Sequence, residues 1–290
     1  MLVAVVGASG VVGRNFVPRL LEAGHHVRAG GRWPDEIRAK GRVEAIEVDI
    51  LDMRSVVHFI RGCDTVVNLA SSIPRADKTS GSWQQFDEIR RQGTRNLMQA
   101  CDDAGADLLA QSVSMLHSAD TSRLQNERDP LLGPGILASG YDQEQMLSAW
   151  SGSWRIVRGG SLYGPGTSTD DSWFEKYDEG ELRAPGDGDS WASMIHIADL
   201  AAAFLTVMEK APPRTAWIAA DDQPMRWREI FDIVATLAAN SQREPGFGAD
   251  HHLPSFRVSN GALRSLGWAP RYASVRSGLV ATAEKRKPGK

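Results

Sequence analysis

The N-terminal half of the chain alternates between short apolar runs and longer segments with helical spacing. Leu2–Val6 is a continuous apolar run that ends in glycines, and this pattern predicts a strand buried on both faces. Apolar residues then recur every three or four positions over residues 11–23, and Gly24 ends this predicted helix. The alternation continues to a strand near 154–157, which predicts a parallel sheet covered by helices on both faces.

The other elements are predicted in the same way, and the pattern becomes less regular after Gly164. Residues 164–190 are rich in Gly, Pro and Asp and are expected to form loops around a short helix. We predict a core over 1–163, to which 195–220 returns, and a smaller substrate-binding region over 164–194 and 221–290. Further strands are predicted at about 26–30, 45–48, 65–70, 107–113, 193–197 and 215–219, and helices at about 55–61, 84–104, 141–150, 199–208 and 227–239.

The loop after the first strand reads GASGVVG, and its three glycines have separate physical roles. The first permits a sharp turn, the second lets backbone amides approach a pyrophosphate, and the third lets the helix pack close to the sheet. The helix N-terminus presents N–H groups and a positive dipole end to the anion. This context predicts a Rossmann-type, doubly wound α/β fold with a small, interleaved C-terminal region. The predicted dinucleotide-binding residues of the loop are Gly7, Ser9, Gly10, Val11, Val12 and Gly13.

The end of the second predicted strand bears on the choice between NAD and NADP. A carboxylate there would accept a hydrogen bond from the ribose 2′-hydroxyl, but this chain has Arg32, with Arg28 nearby. A guanidinium pairs well with a 2′-phosphate, although arginines at such positions are also often solvated. The sequence therefore favours NADP, with NAD as the alternative.

Several further motifs follow in a fixed order along the chain. They are Asp49-Ile50, Asn68-Leu69-Ala70, GTRNL at 93–97, RGGSLYGPG at 158–166, IHIADLA at 195–201, and Ser259-Asn260 followed by LGWAP at 266–270. Together with the glycine loop, this set resembles the short-chain dehydrogenase/reductase superfamily, in its extended or atypical branch of NAD-dependent epimerase/dehydratase type. The resemblance covers nearly the whole chain and implies an enzyme with a nicotinamide cofactor. It places Asp49 and Ile50 near the adenine, and Asn68, Leu69 and Ala70 on the nicotinamide side. Ser71, the next residue, is also predicted to bind the cofactor.

The chemistry that this resemblance implies uses a Ser or Thr, a Tyr and a Lys. Ser114, at the end of the fifth predicted strand, fits the serine role, and Ser112 is the alternative. The best Tyr-x-x-x-Lys string runs from Tyr141 to Gln145, and glutamine can form hydrogen bonds but brings no positive charge. Tyr141 would therefore be a weaker acid or base than the family norm, because the charge that lowers the phenol pKa is missing.

A second register of this helix is also open, because the chain between Gln145 and Arg158 is shorter than the family pattern. Aligning the helix by its Glu-x-Met at 144–146 puts Ile136 at the tyrosine place and Gly140 at the lysine place. In that register both catalytic groups are absent. We keep the expectation that the tyrosine at 141 faces the pocket, and in either register the Tyr/Lys pair is not intact.

Three functions remain open on this evidence. The first is an NADP-dependent reductase or dehydrogenase with a modified site. The second is a redox-neutral isomerase, lyase or cyclase with His117, Tyr141 or Asp142 as its acid or base, and the third is a non-catalytic NADP-binding regulatory protein. Aromatic residues on the predicted pocket segments favour a small, fairly apolar or polycyclic substrate. The predicted substrate-lining residues are Trp83, Tyr163, Trp173 and Met194.

Composition narrows the class of partner. The formal net charge is −3, so a basic nucleic-acid footprint is not expected, and no apolar run approaches the roughly 20 residues of a membrane span. The first residues lack a basic segment before the glycine loop, so no signal peptide is predicted. The two cysteines, Cys63 and Cys101, fit a reducing cytoplasm, and no metal site is expected. We expect a monomer or homodimer.

Overall fold

The structure, a computed structural model, describes residues 1–31, 43–71, 82–117, 123–133, 135–238, 244–248 and 254–286. A π turn occupies Ile89–Gly93, and 3-10 turns occupy Ser114–His117 and Gly135–Leu137. The strands are β1 (Leu2–Val6), β2 (His26–Gly31), β3 (Val43–Glu47), β4 (Thr65–Asn68), β5 (Asp107–Val113), β6 (Trp154–Gly159), β7 (Ser161–Tyr163), β8 (Arg183–Pro185), β9 (Trp191–Ala192), β10 (Met194–His196), β11 (Thr215–Ala219), β12 (Met225–Arg226) and β13 (Gly246–Gly248). The helices are α1 (Val11–Glu22), α2 (Met53–Ile60), α3 (Trp83–Glu88), α4 (Thr94–Ala104), α5 (Ala138–Ala149), α6 (Thr169–Glu179), α7 (Ile197–Lys210), α8 (Trp227–Leu237), α9 (Gly261–Ser265) and α10 (Val275–Arg286).

A seven-stranded sheet in the order β11-β6-β5-β4-β1-β2-β3 forms the centre of the fold. β1 pairs in parallel with both β2 and β4, and parallel pairing continues from β2 to β3 and from β4 to β5. The chain therefore winds outward from β1 in both directions, and the strand order reverses between β1 and β4. This arrangement confirms the predicted doubly wound α/β fold of Rossmann type.

The chain forms two compact units, and each unit takes several separate segments. The first comprises Met1–Ser112, Leu132–Arg158 and Ala201–Trp217. The second comprises Val113–Leu131, Gly159–Leu200 and Ile218–Lys290. Assignment of substrate binding to the C-terminal region stays a prediction.

The first unit buries the helix faces that the spacing predicts. Val12, Phe16 and Leu20 of α1 are buried, and the Phe16 ring lies 5.8 Å from that of Phe204 on α7. Ala23, which we expected on the same face, is the C-cap of α1 and is exposed. The core continues between the sheet and the apolar faces of α2 and α4.

The helix predicted over 84–104 is not continuous. The π turn Ile89–Gly93 separates α3 from α4, and it packs against α5 within the first unit. A π turn holds one more residue than an α-turn, so it changes the direction of the side chains that it carries. Apolar spacing in the sequence cannot reveal this, because such residues still recur about every four positions.

A buried ion pair fixes α5 to the sheet. Arg158 of β6 donates from Nη2 to Oε2 of Glu144 on α5 at 2.6 Å, and its Nε lies 2.9 Å from the same oxygen. Ser112 of β5 donates its hydroxyl to Oε1 of Glu144. Glu144 and Arg158 are both buried, so the pair determines which face of α5 lies against the strands.

The second unit has its own hydrophobic core, built on α6, α8 and α10 with three two-stranded sheets. The Trp173 ring meets Trp227 at 5.9 Å and Phe231 at 5.4 Å, with the ring planes strongly inclined in both pairs. The short helix predicted within 164–190 is the eleven-residue α6. Its aromatic residues supply much of the buried surface of this unit.

His196, at the end of β10, is buried as a neutral ring within this core. Its Nδ1 accepts a hydrogen bond from the Ala198 N–H at 3.2 Å, and the ring lies 4.0 Å from Tyr272 and 5.3 Å from Tyr163. Burial lowers its pKa to about 4, although Asp170 opposes the shift.

We predict that this histidine makes the protein less stable in mild acid. The unfolded chain binds the proton near pH 6.5, while the folded ring binds it only near 4, so its stabilising contribution is present above 6.5 and is lost as the pH falls toward 4. The free energy of unfolding should fall by about 2 kcal/mol more between pH 7 and 5 in the wild type than in His196→Asn. Urea titrations at both pH values measure this difference.

The matched control is His26→Asn, which replaces an exposed histidine. It should follow the wild-type pH dependence. An equally steep loss of stability in His196→Asn would contradict the assignment.

Candidate cofactor cleft and active site

The glycine loop between β1 and α1 is fixed against two neighbouring strands. The N–H groups of Gly7 and Ala8 donate to the Gly30 carbonyl of β2 at 3.0 and 3.1 Å. Gly7 has φ +81°, and a Cβ there would lie 2.8 Å from the carbonyl carbon and oxygen of Leu69. The loop thus requires glycine for both its backbone angle and its approach to the segment after β4.

The N-terminus of α1 opens at this loop with its N–H groups available. Gly10 is the N-cap, and within the described structure no side chain caps the helix and no acidic residue occupies its first turn. Such an end attracts an anion through both its unpaired N–H groups and the helix dipole. The loop therefore fits the pyrophosphate of a dinucleotide.

A cleft lies at the carboxyl ends of β1 to β4, where the strand order reverses. Its two sides differ in polarity, because the glycine loop forms a polar end, while Val48, Ile50 and Leu51 after β3 and Ile89 of the π turn form an apolar wall. This combination fits an adenine dinucleotide. The lining residues are Val6, Gly7, Ser9, Gly10, Gly31, Val48, Asp49, Ile50, Leu51, Leu69, Ala70, Ser71, Gln85 and Ile89.

Most of the predicted cofactor residues lie in this cleft, with some exceptions. Val12 and Gly13 are buried in α1 and Val11 is half-buried there, so these three do not line it. Asn68 is also outside the lining, and its Oδ1 accepts a hydrogen bond from the Ala70 N–H at 3.1 Å. It shapes the turn that carries Leu69 and Ala70. Binding of cofactor by any of these residues stays a prediction.

Of the two arginines that favoured NADP, the structure describes only Arg28. Arg32 lies outside the described residues. Arg28 donates from Nε to Glu44 at 2.7 Å and from Nη1 to the carbonyls of Phe59 and Arg61, both at 2.8 Å. These bonds tie Arg28 to β3 and the end of α2, so it adds nothing to the case for a 2′-phosphate.

Gln85 and Ile89 line the cleft although the sequence reasoning did not select them. They are four residues apart, on one face of the segment that precedes Gly93 and Thr94. Their spacing could have predicted that they act together, because residues four positions apart share one side of a helix.

Ser114 and His117 lie in the 3-10 turn that follows β5, in the second unit, and both are fully buried. Ser114 Oγ has no hydrogen-bond partner in the part of the chain that the structure describes. Ser112, the alternative, is engaged with Glu144 in the buried ion pair. Of the two serines, Ser114 thus has the hydroxyl that a substrate could use.

Neither Tyr141 nor Gln145, the two ends of the predicted string, belongs to the buried face of α5. Its buried residues are Ser139, Gly140, Gln143, Glu144 and Leu147. Gln145 is exposed, and Tyr141 is half-buried against Gly133. The geometry therefore agrees with the second register, in which Gly140 stands at the lysine place.

Asp142, the other acid/base candidate on α5, forms an ion pair with Arg91. Its Oδ2 lies 2.7 Å from Arg91 Nε. Ile136, which the second register puts at the tyrosine place, has a side chain outside the described set. Catalytic roles for Tyr141, Gln145 and Asp142 stay predictions.

The four predicted substrate residues differ in their exposure to solvent. Trp83 is exposed and packs edge-on against Phe86 at 5.5 Å. Trp173, Met194 and Tyr163 are buried in the core of the second unit. They therefore have clear packing roles, and contact with substrate stays a prediction for all four.

Tyr163 is further held by a buried carboxyl group. Its hydroxyl lies 3.1 Å from Oδ2 of Asp221. Burial and the Asp221 charge raise the pKa of Tyr163 well above its usual range. Burial also raises the pKa of Asp221. Tyr163 is therefore unsuited to proton transfer at neutral pH.

Within the described ranges, no helix has the length and apolar character of a membrane span. In the same residues, no group of three or more His, Cys, Asp or Glu side chains could hold a metal ion.

Comparison with known proteins agrees with this geometry. A 3-diazoavenalumate denitrifying reductase from Streptomyces sp is 27% identical over 96% of this chain and 99% of its own length. A 2-alkyl-3-oxoalkanoate reductase from Stenotrophomonas maltophilia (strain K279a) is 26% identical over 82% of this chain and 76% of its own. The solved dTDP-glucose 4,6-dehydratase of Bacillus anthracis str. Ames, in complex with NAD, has the same fold, with a TM-score of 0.84 at 18% identity over 99% of this chain and 97% of its own.

These similarities confirm the predicted superfamily resemblance and the prediction of an enzyme. The family model for NAD dependent epimerases/dehydratases matches residues 3–219, which is most of the chain. The chain therefore belongs to the NAD dependent epimerase/dehydratase family.

Proposed function

We propose that the protein is a reductase that binds NADPH and transfers hydride to a small, fairly apolar or polycyclic acceptor. The observation that carries this proposal is the buried face of α5 together with a cleft that fits a dinucleotide. That face contains Gly140, the residue that the second register aligns with the lysine, while Tyr141 and Gln145 lie elsewhere on the helix. A cytoplasmic location and a monomeric or homodimeric state stay predictions from the sequence.

The modified site favours reduction over oxidation of a hydroxyl group. Oxidation needs a base that removes the hydroxyl proton, and a phenol with an unperturbed pKa of about 10 is a poor base at neutral pH. Neither Tyr141 nor Gln145 brings a positive charge to the buried face of α5. Reduction of a carbonyl group instead needs a group that donates a proton to the oxygen. A hydroxyl group can do this, because it is still protonated at neutral pH.

Different residues of the chain would bind the pyrophosphate, the adenine and the acceptor. The α1 N-terminus, with Ser9 and Gly10, would hold the pyrophosphate, and the wall around Ile50 would contact the adenine. When bound, the reduced nicotinamide supplies the hydride. The Ser114 hydroxyl is buried and lacks a hydrogen-bond partner among the described residues, and its role in holding the acceptor stays a prediction from the sequence.

The relative named 3-diazoavenalumate denitrifying reductase supports a further acceptor class, the arenediazonium ion. Hydride would form a C–H bond at the ring carbon, the C–N bond would break, and its electron pair would leave with N2. The nicotinamide is oxidised and the arene carbon is reduced. No proton is needed at an oxygen, which suits a site without a charged Tyr/Lys pair.

The proposal is tested with NADPH that carries deuterium at nicotinamide C4. The acceptor panel contains aromatic aldehydes and ketones, an arenediazonium salt and a nucleotide sugar. We expect NADPH absorbance to fall with an aromatic acceptor and mass spectrometry to find one deuterium in the product. Conversion without net NADPH loss would instead indicate a redox-neutral isomerase or lyase. Tight cofactor binding with no turnover on the panel would favour the regulatory function.

Preference for NADP depends on Arg32. If its guanidinium binds the 2′-phosphate, Arg32→Ala should weaken NADP binding about 10- to 100-fold and leave NAD binding within about twofold. Calorimetric titration with each dinucleotide measures both effects. Arg54→Ala, at an exposed arginine of α2, is the control and should change neither affinity. Equal losses for NAD and NADP in Arg32→Ala would contradict the preference.

Gly7 provides a test of the cleft itself. In Gly7→Ala the new methyl group meets the Leu69 carbonyl and strains a positive φ, so the loop must move and dinucleotide affinity should fall by about tenfold or more. Gly24→Ala is matched, because Gly24 has φ +87° but nothing lies within 4 Å of a Cβ there. Gly24→Ala should lose stability only. A normal affinity in Gly7→Ala would count against the cleft as the binding site.

A further inference from the structure

Arg90, in the π turn, brings its guanidinium to the backbone of α5. A Cβ on residue 140 would overlap Nη1 of Arg90, so the glycine there leaves the room that this approach needs. The guanidinium also lies over the Phe86 ring, with Cζ 4.5 Å from its centroid. Arg90 is therefore held between α3 and α5 within the first unit.

The Arg90 guanidinium forms no ion pair and no hydrogen bond within the described part of the chain. The carboxylates of Asp87 and Glu144 stabilise its charge only from a distance, because Asp87 pairs with Arg91 and Glu144 pairs with Arg158. Burial lowers the pKa of Arg90 to about 10, so the group stays charged at neutral pH. A half-buried cation whose donors form no hydrogen bond within the described residues is suited to an anionic or hydroxyl-rich ligand.

The position of Arg90 relates this charge to the dinucleotide cleft. Gln85 and Ile89 line the cleft, and Phe86 and Arg90 follow them directly in the sequence. Arg90 is not among the lining residues, and its guanidinium extends from the π turn to Gly140 of α5. Gly140 is the residue that the second register puts at the lysine place. The guanidinium thus occupies the space that a side chain from position 140 would fill.

We propose that Arg90 replaces the missing lysine of α5 as the cation that contacts the bound dinucleotide, reaching the Gly140 position from the π turn. The inference rests on the proposed cofactor binding. Arg90 would donate hydrogen bonds to hydroxyl or phosphate oxygens of the cofactor and would hold it beside α5. No tyrosine shares the buried face of α5, so this cation serves binding and orientation of the cofactor.

The test measures NADP+ binding by calorimetry, without any acceptor, so it does not depend on turnover. Arg90→Gln should weaken binding about 10- to 100-fold. The double variant Arg90→Ala/Gly140→Lys moves the cation to the helix and should recover most of this loss. Arg95→Gln, at an exposed arginine of α4, is the matched control and should bind as the wild type does.

Arg90→Lys keeps the charge and the aliphatic stem, so it tests the inference even if Arg90→Gln unfolds. It should bind NADP+ more tightly than Arg90→Gln, and thermal unfolding confirms that each compared variant is folded. Equal binding by Arg90→Gln and the wild type would overturn the inference, as would equal losses in Arg90→Gln and Arg95→Gln. A folded double variant without recovery would also overturn it. A wild type that binds neither NADP+ nor NAD+ would refute the proposed function itself.

Discussion

The ion pair between Glu144 and Arg158 fixes helix α5 on the sheet, and the layout of the candidate active site depends on it. Both charges are buried, so removal of either would leave the other uncompensated, at a cost of about 3–5 kcal/mol. The pair also sets the rotation of α5. With Glu144 against the strands, Gly140 lies one turn earlier on the same face, and Tyr141 and Gln145 are directed elsewhere.

The dinucleotide cleft and α5 therefore differ in how closely they follow the family pattern. At the cleft, the glycine loop, the bare N-terminus of α1 and the residues after β3 and β4 form one continuous lining. On α5, neither Tyr141 nor Gln145 is among the buried residues, and Gly140 on the buried face has no side chain. The guanidinium that approaches Gly140 belongs to Arg90, on another segment of the chain. The glycine loop thus follows the family pattern, while the residues of α5 depart from it.

The sequence alone predicted the parts of the fold that depend on local patterns of apolar residues and glycines. The apolar run of β1, the glycine loop and the spacing of Val12, Phe16 and Leu20 predicted the first strand–helix unit, because each residue's environment follows from its own neighbours. The predicted cofactor positions from Asp49 to Ser71 largely line the cleft for the same reason, since they follow directly on strands.

Features that depend on distant contacts could not be predicted in this way. The π turn leaves apolar spacing almost unchanged, so the helix over 84–104 was expected to be continuous. Choosing between the two registers of α5 required the partner of Glu144, which lies on a strand formed later in the chain. The pairing of Arg90 with Gly140 joins residues fifty positions apart, and neither residue signals the other in the sequence.

The close approach of Arg90 to Gly140 also constrains how these two positions can change. A side chain at 140 would require the guanidinium end of Arg90 to move, so the effects of substitutions at the two positions on stability and binding should not be additive. Arginine is long and flexible, so this movement leaves its backbone in place. A lysine at 140 would also bring a second cation close to the charge of Arg90. The cost of a side chain at 140 therefore depends on which residue occupies position 90.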